Sequence, residues 1–257
     1  MKSILVAFGI SSVSLLSGSV GATPGVQPNA PSVQAPRAGQ CEGGRVQGDR
    51  ALARYARCQR VSGDLTVSGV SNFKPLLGLK QVDGTLRLTK NAATALALAG
   101  LRQVDTLVVD SNPRLEEISG LDALTSAKRI EIRGNSELKS FDGPAHLQAL
   151  DELVIKNTNL IRLSGFESLS EIKNVSISGN SRLINVGALD GVKRTARLEL
   201  VANNRLCACF GLFRGLEIRP AESIIQNNRT LFPSELGHLA PLQPERVLAG
   251  RFEKRAQ

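Results

Sequence analysis

Residues 105–135 read DTLVVDSNPRLEEISGLDALTSAKRIEIRGN and hold one complete unit of a pattern that recurs along the chain. The unit opens on a short alternating run. Leu107 and Val109 fall on one side, and Thr106, Val108 and Asp110 fall on the other. Period-two alternation over so few residues marks a strand with one buried face. Asn112 stands five residues after Leu107, and apolar residues then return at every third place: Leu115, Ile118, Leu121 and Leu124. That step suits an irregular or 3₁₀-like return, not a long α-helix. The next strand pattern begins at Ile130.

Working outward, the strings GDLTV, GTLRL, DTLVV, KRIEI, DELVI, KNVSI and ARLEL are successive copies of the same run. Their first aliphatic positions are Leu65, Leu86, Leu107, Ile130, Leu153, Val175 and Leu198, separated by 21, 21, 23, 23, 22 and 23 residues. The turn position is Asn91, Asn112, Asn135, Asn180 or Asn203, with Val70 there in the first copy and Thr158 in the fifth. Asn tolerates left-handed dihedrals and bonds backbone groups with its amide. Stacked in register, these five Asn residues are expected to form a hydrogen-bonded ladder. The unit predicts a β-rich solenoid of about seven coils, each giving a strand to one continuous parallel sheet, because no coil can bury its apolar side alone. Seven strands at ~4.8 Å make a sheet roughly 30 Å long. Composition agrees with thin coils packed by aliphatics: among 257 residues there is no Trp, one Tyr and eight Phe.

A solenoid needs its ends capped. Cys41 and Cys58 flank EGGRVQGDRALARYAR, whose second half has a helical pattern. These two cysteines are expected to pair and pin that helix over the first coil, with connectivities through Cys207 and Cys209 as the alternatives. The order of features is then specific: Cys41, a short helix, Cys58, QRVSGDLTV, repeats of the form G-x-L-x-L-x-x-N, and a closing N-x-x-L-C at Asn203 to Cys207. This resembles the receptor L domain, the leucine-rich right-handed β-helix of insulin and epidermal growth factor receptor ectodomains, with single-domain relatives among secreted bacterial and fungal wall proteins. The resemblance covers about Cys41 to Cys209. It implies binding or scaffolding at an extracellular or envelope surface. The chain departs from the receptors in having no cysteine-rich module after Cys209, so no receptor architecture is implied. Cys207 is expected either to pair with Cys209 or to stay reduced.

The flanks differ from the repeat. Met1 to Ala22 reads as a signal peptide, with Lys2 before an apolar run and Val20-Gly21-Ala22 at the cleavage position. Thr23 to Gln40 carries four prolines and no acid, the composition of a disordered linker. Residues 210–257 are expected to form a helical C-terminal cap, with helix starts at Pro233-Ser234-Glu235 and Gln243-Pro244-Glu245, ending in a basic tail from Arg251 to Arg255. The expected location is secreted, periplasmic or cell-surface, with no transmembrane segment in the mature chain.

For chemistry, the outward strand positions form three columns. They run Asp64, Thr85, Thr106, Arg129, Glu152, Asn174, Arg197; then Thr66, Arg87, Val108, Glu131, Val154, Ser176, Glu199; then Ser68, Thr89, Asp110, Arg133, Lys156, Ser178, Val201. Arg129 falls beside Glu152, and Asp110 beside Arg133. The expected binding face is Arg87, Arg129, Glu131, Arg133, Glu152 and Lys156. Its partner is an unidentified protein or an anionic surface polymer, the latter favoured by a net charge of +9. No nucleic-acid partner, cofactor, metal or catalytic residue is expected. The two histidines, His146 and His238, supply no metal cluster, and no hydrolase or phosphate-loop motif occurs. The alternatives are a polysaccharide-active β-helix enzyme using Glu131 and Glu152, or a charge-driven polyanion binder. Asn174-Val-Ser176 and Asn228-Arg-Thr230 match glycosylation sequons.

Overall fold

The aliphatic pairs of the repeat all turn inward. The residues from Leu65 to Leu198 that open the seven strands, and the second apolar residue of each, are at most 1% exposed. Burying each such side chain contributes ~1.5–3 kcal/mol. In the computed structural model, which describes residues 39–207, 212–231 and 239, they lie in a single parallel sheet. Its strands are β1 (Gln40–Gln47), β2 (Arg60–Ser68), β3 (Gln81–Thr89), β5 (Gln103–Asp110), β7 (Ser126–Arg133), β9 (Ala149–Lys156), β10 (Glu171–Ser178), β11 (Arg197–Val201) and β12 (Glu222–Gln226). The short strands β4 (Ala95–Ala97), β6 (Glu117–Ser119) and β8 (Ser140–Phe141) pair as a second sheet on the return side. The molecule is a parallel β-solenoid of about eight turns with very little helix. The described residues belong to one unit, Pro36–Gln257.

Register holds from coil to coil. Leu65 pairs with Leu86, Leu107 with Ile130, Leu153 with Val175, and Val175 with Leu198. A one-residue slip would turn every aliphatic outward, so the hydrophobic pattern itself fixes this register. Return segments are irregular, with 3₁₀ turns at Lys74–Leu76 and Gly187–Leu189. At Gly165, φ is +80° and an added Cβ would stand 2.2 Å from the Gly143 carbonyl oxygen, so two returns meet there backbone to backbone. Beside that contact the rings of Phe141 and Phe166 pack with centroids 5.8 Å apart.

The solenoid extends beyond the seven coils at both ends. At the N-terminus the segment between the cysteines is not simply a helix. Its first half is β1, paired parallel with β2, and only Asp49–Leu52 and Ala53–Arg57 form single helical turns. Folding therefore begins before Cys41, since Gln40 is already in the strand. The Cys41–Cys58 disulfide is present, with Cα atoms 5.8 Å apart, and closes this coil, in which Leu52 is buried. Asp49 ties the cap to the next turn: its carboxylate accepts the Ser71 hydroxyl and, at 2.9 Å, the Ser71 amide. The Ser71 hydroxyl first, and its amide second, hold that carboxyl below the usual range.

At the C-terminal end, residues 222–226 lie inside the repeat. They form β12, paired parallel with β11 from Arg197↔Glu222 to Val201↔Gln226. Cys207 is in a disulfide, and Cys209, the neighbour the sequence offers it, lies outside the described residues. The signal-peptide and linker segments before residue 39, the helix starts near Pro233 and Pro244, and the basic tail also lie outside them. Among the described residues no helix is long and apolar enough to cross a membrane.

The Asn ladder is present and longer than five members. Backbone N–H groups of Val70, Asn91 and Asn112 donate to the side-chain carbonyls of Asn91, Asn112 and Asn135 at 3.1, 3.0 and 2.9 Å. Beyond Thr158, the N–H groups of Thr158, Asn180 and Asn203 donate to Asn180, Asn203 and Asn228 at 3.0, 3.1 and 2.8 Å. Each amide NH₂ reaches back to the preceding coil and donates to its second strand aliphatic, as Asn135 does to the Val109 carbonyl at 2.9 Å. Asn135→Ala removes the acceptor of a buried N–H and the donor to a buried carbonyl. It is expected to destabilise the protein by about 1–3 kcal/mol, measured by chemical denaturation; an unchanged midpoint would contradict the ladder.

Candidate functional site

A parallel strand repeats its outward side chains every ~4.8 Å across the sheet, so three columns of equivalent positions make a plane of fixed side chains. The pairing confirms the columns. Arg129 lies opposite Glu152, Glu131 opposite Val154, and Arg133 opposite Lys156. On the other side Asp110 lies opposite Arg133.

Charge drawn together by this register forms a network. Arg129 binds Glu152 through Nη1, and binds Glu131 through Nη2 at 2.8 Å and Nε at 3.1 Å. Arg133 Nε lies 3.0 Å from the other oxygen of Glu131 and 3.2 Å from Asp110. Glu131 is thus held between two guanidinium groups. Although it points outward, only 6% of it is exposed. Val108 and Val154, its neighbours in the same column, are also covered. Lys156 sits 3.9 Å from Glu199, which accepts the Ser176 hydroxyl at 2.9 Å. Arg87 stands apart, with Val108 between it and Glu131, and makes no ion pair among the described residues.

These side chains rim a shallow hollow of about 470 Å³ with Val154 and Ser176 among its lining. Small residues between charged columns leave the depression. Arg129, Glu152, Arg133, Lys156, Arg197 and Glu199 supply charges of both signs at its edge. A larger hollow of about 680 Å³ lies where the returns enter the strands, lined by His146, Lys128, Asp151 and Lys173 among others. Its lysines are already engaged: Lys128 with Asp105 at 2.8 Å and Lys173 with Asp151 at 2.7 Å. The Asp151 hydrogen bond and charge hold the Lys173 ammonium above the ordinary lysine range. The strand-face hollow is the better candidate because its residues stand on rigid strands with fixed spacing.

The two sequons fall in different places. Asn174 is exposed on the strand face, whereas the Asn228 amide donates to the Leu200 carbonyl at 2.7 Å as a ladder member. Among the described residues no group of three or more His, Cys, Asp or Glu is placed to hold a metal ion. The burial of Glu131 had no sequence signal beyond the two arginines beside it. No protein-family model, curated protein or solved structure matches the chain.

Arg129 donates to one Glu131 oxygen and Arg133 forms an ion pair with the other, so the network is coupled through a nearly buried carboxylate. A double-mutant cycle of Arg129→Met and Glu131→Gln should give an interaction energy of roughly 0.5–3 kcal/mol. Strict additivity would show that the two side chains do not stabilise one another.

Proposed function

We propose that this protein is a non-enzymatic, secreted or envelope-associated binding or scaffold protein that offers its strand face to a partner. The observation that carries the reading is the hollow between the Glu131 and Glu199 positions. It combines a small, partly apolar floor with a rim of alternating charge on a sheet that cannot easily deform. Such a surface recognises a partner by charge complementarity and register. Glu131 and Glu152 are engaged by arginine, which supports a structural use of these carboxylates over acid–base chemistry. The resemblance of the Cys41–Cys58 opening and the G-x-L-x-L-x-x-N repeats to a receptor L domain, read from the sequence alone, would imply the same class of function. The Cys41–Cys58 disulfide favours an oxidising compartment.

The test is binding of the labelled chain to the surface of the cell that produces it. Lys156→Glu with Arg197→Glu reverses two rim charges that lie outside the Arg129–Glu131–Arg133 core. It is expected to weaken binding at least tenfold, while Arg54→Glu with Arg57→Glu on the N-terminal cap leaves it unchanged. Equal binding by both variants would remove the strand face from the proposal.

A further inference from the structure

The turns that follow the ladder change character along the solenoid. In the third and fourth coils the residues after the ladder Asn are mixed: Arg114, Glu116 and Glu117 in one, Glu137 and Lys139 in the next, with Lys139 paired to Glu116 at 3.0 Å. In the last four coils the corresponding strings are TNLIR at 158–162, NSRLIN at 180–185, NNRLC at 203–207 and NNRTL at 227–231. They contain four arginines and no acid. Arg162, Arg182, Arg205 and Arg229 are all exposed, and none makes an ion pair among the described residues.

Ladder register places these residues together. Asn180 bonds Asn203 and Asn203 bonds Asn228, so Arg182 and Arg205, each two residues after its ladder Asn, occupy the same position in adjacent coils, and Arg229 stands one residue after Asn228 in the coil beyond. Arg162 lies further along the return, bridged in register to Asn185. Adjacent coils are ~4.8 Å apart, and like charges placed opposite one another on neighbouring strands destabilise. On the strand face Arg133 and Lys156 also lie opposite one another, but each has an acid within reach, Glu131 and Glu199. The turn edge has no such acid paired to its arginines among the described residues, so its positive charge is open to an anion. Three features narrow the ligand. The four arginines fall one per coil in four consecutive coils, so the patch is elongated along the solenoid axis. Its step is comparable to one sugar residue of an extended polysaccharide. No aromatic ring lies in these four turns, which removes the stacking platform that single-stranded nucleic acids use.

We propose that the turn edge of the last four coils binds a linear acidic polysaccharide, with Arg162, Arg182, Arg205 and Arg229 each taking a carboxylate or sulfate group. Guanidinium suits that role because it presents paired donors to two oxygens of one anionic group. This surface is separate from the strand face, so either binding activity can be lost while the other survives.

The experiment uses the full chain with polygalacturonate and heparin as probes and duplex DNA as the comparison polyanion. Arg182→Gln, Arg205→Gln and Arg229→Gln are combined in one variant. The control is Arg251→Gln, Lys254→Gln and Arg255→Gln, which removes the same three charges from the tail. The turn variant, with an unchanged melting curve, is expected to lose at least tenfold in affinity for one or both polysaccharides and to show a shallower salt dependence; the tail control loses less than threefold. Equal loss in both variants would show that net charge alone drives binding and would overturn the site. No loss in the turn variant, or DNA binding as tight as polysaccharide binding, would overturn the proposal as well. If the turn variant melts early, Arg182→Lys with Arg205→Lys keeps charge but removes the paired donors, and must weaken binding for the proposal to stand.

Discussion

Every coil of this solenoid must turn sharply just after its strand, inside the protein, where the backbone amide at the turn has no water to bond. One interaction answers that constraint: the side-chain amide of the next coil's Asn accepts the buried N–H, while its own NH₂ donates to a strand carbonyl of the coil before it. The preceding residue takes a left-handed conformation to make the turn, whether it is Gly, as at Gly69, Gly134 and Gly179, or not, as at Lys90 (φ +54°), Ser111 (+54°), Asn157 (+53°), Ala202 (+56°) and Asn227 (+56°). A non-glycine residue there carries a conformational cost. The ladder, the inward aliphatics and the strand pairing together over-determine that backbone. The same amide that satisfies the turn also sets the distance between coils, and so holds the columns of the strand face in register.

Thr158 is the one interior position where the ladder is interrupted. Its hydroxyl and its N–H both donate to Asn180, so it bonds forward only and offers Asn135 no amide carbonyl. Next to this break the charge pattern of the turns changes, from mixed on the N-terminal side to arginine alone on the other. The strand face behaves differently. There, Arg129, Arg133 and Lys156 each meet a carboxylate, and the sheet stays continuous across the break from β7 to β9. The two faces are therefore electrostatically distinct: one internally neutralised and shaped by a hollow, the other cationic over four successive coils.

Much of this was legible in the sequence because the repeat has a rigid spacing and a two-residue period. The inward aliphatics, the three outward columns, the pairs Arg129–Glu152 and Asp110–Arg133 and five ladder residues all follow from counting, while the Cys41–Cys58 pair was expected from the need to cap the first coil, with Cys207 and Cys209 as alternatives. The end coils were not legible for specific reasons. β1 contains Gly43 and Gly44 and a register shift, which breaks the alternation. β12 places Ser223 where other strands have an aliphatic, with its hydroxyl bonded to the Leu239 carbonyl at 2.7 Å, so the strand hides behind a polar residue. Asn228 was visible only as a sequon, although it stands five residues after Ser223, the spacing of every ladder Asn from the first inward residue of its strand. The burial of Glu131 depends on side chains from the same and neighbouring strands, and no single repeat encodes it.

The most direct measurement is native-state hydrogen exchange at the backbone amides of Asn91, Asn112, Asn180 and Asn203, each of which donates to the next Asn. If these side-chain amides bind the coils to one another, all four N–H groups should exchange only through global unfolding, with the free energy of the whole solenoid. Exchange at the rate of the exposed turns beside them would mean that strand pairing and aliphatic packing hold the coils without the ladder, and would contradict this account.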